Sequence, residues 1–195
     1  MELAITHHNV KLQDGRIIDV ATEEIDLEEY QDYLGFCKEW NERNPCLKNH
    51  LRLLVAEAEW MDVNGETEEA VEKLTQGMDP DTLEALFGDD DSGPNPTLHF
   101  INAAECLTEM LLRLGRTEEA SEWADQVYDM TEDYYDRTDH IPFAMALRGN
   151  CYQASGENNE AKDMYEASLD EIDDRITDLT DLRESLRRNM EELDG

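Results

Sequence analysis

The chain is 195 residues long, and 49 acidic against 16 basic residues leave a formal charge of −33. That charge excludes nucleic-acid binding as a main activity, because a phosphate backbone would be repelled from most of the surface. The absence of any apolar run of about eighteen residues excludes a membrane-spanning helix. Apolar residues make up 39% and fall in periodic blocks, which implies folded structure and not an acidic disordered tail.

Residues 1–25 hold two short apolar runs around Asp14-Gly15, a dipeptide suited to a tight hairpin turn. A two-residue turn there would pair Leu12 with Ile17. No basic segment followed by an apolar one is visible in MELAITHHNVKLQDG, so a cytoplasmic location is expected. From Asp26 the texture is helical: Asp26 and Glu29 have capping-box spacing, and Leu27, Tyr30, Leu34 and Cys37 follow at steps of three and four. This N-terminal helix (26–46 with its exit) should stop before Pro45. Helices are expected over 47–63 and 67–76. Asp79-Pro80 should open a short helix from Thr82 to Phe87, followed by an acidic loop that closes the segment 78–96. Asp89, Asp90 and Asp91 in that loop lack the alternating ligands, sixth-position glycine and distal Glu of a calcium hand, so a solvated loop is expected. Further helices are expected at 97–114, 117–136, 140–154 and from 158 onward.

Three junctions repeat: NGETEEA (Asn64 to Ala70), LGRTEEA (Leu114 to Ala120) and SGENNEA (Ser155 to Ala161). Gly65, Gly115 or Gly156 suits the left-handed residue that ends one helix, and Thr67, Thr117 or Asn158 suits the cap of the next. Nine residues before each Ala stands Met61, Leu111 or Tyr152, and twelve before stands Ala58, Thr108 or Gly149. Four after it come Leu74, Ala124 and Tyr165. This register resembles the tetratricopeptide repeat, most closely in GNCYQASGENNEAKDMYEASL (Gly149 to Leu169) and over about residues 47–172. The glycines here are 50 and 41 residues apart, against a family period of about 34, so the loops between units are enlarged. The closing Pro of the family is missing after the second and third units.

The resemblance implies an all-α, right-handed superhelix of about three helix hairpins (47–77, 97–137 and 140–172). The N-terminal helix would cover one end and a long C-terminal helix (173–195) the other. Leu169, Ile172, Ile176, Leu179, Leu186, Met190 and Leu193 follow steps of three and four, broken only at Arg183. That seam could fold back as a cap or pair with a second copy. The resemblance also implies a concave groove that holds a partner's peptide or helix. Carried over from the alanine register, its positions are Arg52, Val55 and Glu59; Asn102, Glu105 and Glu109; and Phe143, Ala146 and Asn150. The family's clamp for a peptide's C-terminal carboxylate uses Lys, Arg and Asn, and Glu59, Glu105 and Glu109 would repel such a group. A basic or amphipathic segment of a protein partner fits better.

The carboxylates are spread along the chain and only five residues are lysines, a distribution that resembles the cytosolic proteins of salt-accumulating halophiles. At molar salt the Debye length is about 3 Å, which makes a self-repelling surface tolerable. An ordinary acidic protein and a mimic of DNA charge are the other readings. Cys37, Cys46, Cys106 and Cys151 contain no C-x-x-C pair, so reduced thiols are expected and no zinc site. His7-His8 reads as surface, and His50, His99 and His140 lie in no catalytic signature. No catalytic residue, cofactor or metal is assigned. The sequence points to a non-catalytic interaction module; a chaperone for unfolded clients and a DNA-mimicking inhibitor are the alternatives.

Overall fold

The computed structural model describes residues 9–11, 17–19, 27–82, 96–134 and 140–193. The expected capping box at Asp26, the acidic loop, His7-His8 and most of the helix expected at Thr82 to Phe87 lie outside them. Asp79 does open that turn, accepting hydrogen bonds from the Thr82 amide at 2.9 Å and hydroxyl at 3.0 Å.

Two strands, Asn9–Lys11 (β1) and Ile17–Asp19 (β2), pair antiparallel with Lys11 opposite Ile17. The register is one residue away from the expected Leu12–Ile17 pairing. Gln13 and Arg16 supply no apolar pair to pin the register, and a one-residue slip is then the easiest error to make.

Seven helices follow among the described residues: α1 (Leu27–Arg43), α2 (Leu47–Val63), α3 (Thr67–Gly77), α4 (Pro96–Arg113), α5 (Thr117–Tyr134), α6 (His140–Ser155) and α7 (Asn158–Leu193). The chain divides into two compact units, Met1–Trp123 and Ala124–Gly195.

In the first unit α2 and α3 form a hairpin. Leu51, Leu54, Ala56 and Ala58 are buried on α2, and Ala70, Val71 and Leu74 on α3. Helix α1 lies on another side of α2. Leu34 and Cys37 share a cluster with Ala56, and Tyr33, Phe36, Leu53 and Trp60 pack around it. The Tyr30 ring stacks on Trp60 at 6.0 Å. The apolar flank of the first hairpin is thereby covered by α1, which is what a repeat end requires. The second hairpin begins with α4, whose Ile101, Ala104, Leu107 and Leu111 are fully buried. Phe100 meets Trp123 at the start of α5, ring centroids 6.5 Å apart.

In the second unit Arg148 of α6 pairs with Asp125 at 2.9 Å and lies 4.7 Å over the Tyr128 ring, both on α5. Helices α6 and α7 form the third hairpin. Gly149 permits it: a Cβ there would lie 2.5 Å from Tyr165 Cε1. The Ser168 hydroxyl donates to the Pro142 carbonyl at 2.8 Å.

The three turns share one geometry. Gly65, Gly115 and Gly156 have φ of 84°, 74° and 82°. In each turn the next amide closes back over five residues, Glu66 to Met61, Arg116 to Leu111 and Glu157 to Tyr152, all at 2.9 Å. This is a Schellman closure, which satisfies carbonyls that the helix end leaves open. The caps of the following helices differ from expectation. Glu66 is the N-cap of α3 and makes no side-chain cap bond. Thr67 stands one position inside the helix, and its hydroxyl donates to Asp62 Oδ1 at 2.7 Å. The threonine therefore ties the new helix to the old one and does not satisfy an amide.

The expected boundary between 172 and 173 is absent, because α7 is continuous over 36 residues. No glycine or proline occurs from Asn158 to Leu193 to turn the chain. The seam does not fold back as a cap: Leu169, Ile172, Ile176, Leu179 and Leu186 remain 39–65% exposed.

Candidate functional site

The expected groove positions of the first unit are carried by α2 and α4. Arg52, Val55 and Glu59 are half-buried on α2, and Asn102, Glu105 and Glu109 half-buried on α4. Positions 102, 105 and 109 recur at helical spacing and share one face.

Glu59 is already engaged. The Tyr30 hydroxyl of α1 donates to its carboxylate and also lies 3.2 Å from the Ala56 carbonyl. Burial raises the Glu59 pKa, the Tyr30 hydrogen bond opposes the rise, and the Asp62 charge adds to it. Arg52 acts on the same helix α1. Burial raises the pKa of Tyr33 and of Cys37, and the Arg52 charge works against both shifts. Part of the α2 wall thus faces the chain's own first helix.

Glu109 is the most perturbed carboxylate of the wall. Burial pushes its pKa to about 7; Arg113 opposes this, and the charges of Glu105, Glu59 and Asp62 reinforce it. Arg113 itself is tied to Asp62 at 2.5 Å, so its charge is shared. The Cys106 thiol, between the two glutamates in sequence, is raised well above its usual value by burial and by Glu59 and Glu109. Four carboxylates from α2 and α4 therefore act on one another around a single guanidinium. The site is short of positive charge.

Tyr30, Asp62, Cys106 and Arg113 belong to this site and were not assigned to it from the sequence. Arg113 carried the clearest signal: it is the basic residue in the last turn of α4, four residues after Glu109. Tyr30 gave none, because it lies 29 residues from Glu59.

In the second unit Phe143 is 41% exposed on α6, and Ala146 and Asn150 are half-buried there. Asn150 Oδ1 accepts from the Tyr165 hydroxyl at 2.8 Å. The four cysteines are free thiols, with Cys37 and Cys151 buried. Among the described residues no three His, Cys, Asp or Glu side chains converge as metal ligands, and no helix is long and apolar enough to cross a membrane.

Paired helices closed by a left-handed glycine, with a buried alanine one turn into the second helix, define a helical-repeat domain with the tetratricopeptide fold. Among solved structures the likeness is to the TPR domain of Arabidopsis FLU, with a TM-score of 0.52 and 19% identity over 66% of this chain and 98% of that domain. No protein-family model and no curated protein matches the sequence.

Proposed function

We propose that the protein is a non-catalytic interaction module that docks a basic or amphipathic segment of a protein partner against the α2–α4 wall. Tetratricopeptide folds are in general protein-interaction modules, which makes a polypeptide the natural class of ligand. The observation that carries the finer reading is the gathering of Glu59, Glu105 and Glu109 about Arg113, where burial raises the Glu109 pKa to about 7 and repulsion from the other two carboxylates adds to the rise. A lysine or arginine side chain brought against α4 would relieve that repulsion. A free carboxylate terminus would aggravate it.

Arg52, Val55, Glu59, Asn102, Glu105 and Glu109 are the docking positions in this reading, with Phe143, Ala146 and Asn150 serving the third hairpin. The excess of carboxylates is read as adaptation to a cytoplasm of high salt, where the docking step runs under strong screening.

The test uses a lysine-rich amphipathic peptide and its glutamate-substituted counterpart, titrated calorimetrically at 0.2 M and 2 M KCl. The basic peptide should bind, and Glu105→Gln with Glu109→Gln should weaken it about tenfold or more. Equal binding of both peptides, or indifference to the double substitution, would remove the acidic wall from the docking site. Binding restricted to unfolded polypeptides of any charge would favour a client-holding chaperone instead.

A further inference from the structure

Helix α7 does two jobs along its length. Up to Ser168 it packs on α6, with Ala161 3% and Ser168 6% exposed. Beyond that point Leu169, Ile172, Ile176, Leu179 and Leu186 are 59%, 39%, 56%, 65% and 53% exposed. Single exposed leucines are ordinary, but five on one stripe are not. Their steps of three, four, three and seven are the a and d positions of a heptad seam. Arg183 occupies the intervening a position, and Met190 and Leu193 continue the register.

The charges on this segment say what the seam fits. Asp170, Glu171, Asp173, Asp174, Asp178 and Asp181, interrupted by Arg175, precede Arg183, Arg187 and Arg188, and Glu184, Glu191 and Glu192 also lie on this stretch. In a chain of 16 basic residues against 49 acidic ones, three arginines within six positions form a marked local reversal. With the seam at a and d, Arg183 falls in the seam itself and Asp173 and Arg187 at the flanking e positions, whereas Asp170, Glu171, Asp174, Asp178 and Asp181 fall on the outer face. A parallel pair in register would set Arg183 against Arg183 inside the seam. An antiparallel pair separates the two Arg183 side chains and brings Arg183 and Arg187 toward Asp173 of the other copy.

We propose that α7 pairs antiparallel with α7 of a second copy, centred on Ile176 and Leu179. In that register Ile176 lies against Leu179 of the other copy and Leu169 against Leu186. Arg183 lies beside Ile172, with Asp173 one residue further on. The match is reciprocal about a twofold axis, as an isologous interface requires. An unrelated partner helix would have no need of this self-complementarity. The seam uses none of the groove positions on α2, α4 and α6, so the proposal stands independently of the docking reading.

Sedimentation equilibrium of the full chain in 2 M KCl, at tens of micromolar, tests it. Two chains per particle are expected, and a monomer overturns the proposal, including one whose seam then captures a different protein. Ile176→Glu with Leu179→Glu should give a monomer with a helical circular-dichroism spectrum; a dimer surviving both changes places the interface elsewhere. Arg183→Glu should raise the dissociation constant about tenfold, and adding Asp173→Arg should restore it. Loss without restoration overturns the antiparallel register.

Discussion

The first and third hairpins are built on the same turn and end differently. Gly65 and Gly156 close their turns with nearly equal φ and the same hydrogen bonds. In the first hairpin the pair of positions twelve before and four after the alanine is Ala58 and Leu74, both fully buried. In the third it is Gly149 and Tyr165. Small and large residues keep their sides of the contact, and in the third hairpin the larger ring faces the smaller neighbour. Beyond the turn the surroundings diverge. The first hairpin is covered by α1, whereas the second helix of the third continues alone with its apolar stripe exposed. One local code thus builds two kinds of end, a closed one and an open one.

The largest effects should come from breaking the hairpin contact itself. Leu74→Ala empties a fully buried site and is expected to cost about 3 kcal/mol. A change on the opposite, small side of the contact in the third hairpin, Gly149→Val, forces two methyl groups toward a ring already 2.5 Å from the first added carbon; overpacking of this kind costs about 3 kcal/mol. Urea titrations of both variants measure the pair. Equal sensitivity would mean that the two contacts bear equal weight although their residues differ in size. A tolerant Gly149→Val would show that Tyr165 swings out freely, and the third hairpin would then be the looser one.

The cover on the first hairpin comes next. Tyr30→Phe keeps the ring on Trp60 but leaves the Glu59 carboxylate without its donor. A cost of about 1–2 kcal/mol is expected, since a buried acceptor loses its partner. If stability is unchanged, Glu59 is reached by water and the α1 contact is apolar in origin.

Much of this arrangement was legible in the sequence, for physical reasons that differ by element. Glycine is the residue that tolerates φ near +80°, so Gly65, Gly115 and Gly156 announced their turns and fixed the register of the helices around them. Tyr30, Leu34 and Cys37 announced the buried stripe of α1 by their spacing. The face that α1 covers on α2 was hidden, because periodicity reports that a stripe is buried and not against what. Thr67 was misread for a related reason: threonine suits a cap, but the Schellman closure through Glu66 moves the helix start, and the hydroxyl finds Asp62. The acidic wall was legible as composition, and the ties of Glu59 to Tyr30 and of Arg113 to Asp62 were not, since both are contacts between elements.

The site in the first unit also predicts a pH dependence that the third hairpin should lack. Glu109 has a folded pKa of about 7 against a reference of 4.5. The folded state therefore holds a proton that the unfolded chain has released between those values. Stability should fall as pH rises through that window and stay at its lower level above 7. Glu109→Gln removes the titration, with a gain of about 2 kcal/mol expected at pH 8 and almost none at pH 4.5. Thermal melts of the two proteins across the window give the comparison directly. A parallel pH slope in both would assign the titration to another group.

The smallest expected effect concerns the turn that the hairpins share. Gly65→Ala and Gly156→Ala each place a Cβ at φ above +80°, with open space around it. Strain in the left-handed region, about 1 kcal/mol, is then the whole cost. Because the local geometry is the same, any difference between the two variants reports how tightly each hairpin is held by its surroundings. A rigid turn under α1 must absorb the strain in place, whereas a turn on the open hairpin can relax by shifting α7. In the monomeric Ile176→Glu, Leu179→Glu background the Gly65 variant should accordingly lose slightly more, by a few tenths of a kcal/mol. The reverse order would mean that the exposed helix is the better anchored of the two, which is the behaviour expected once a second copy of α7 is bound along it.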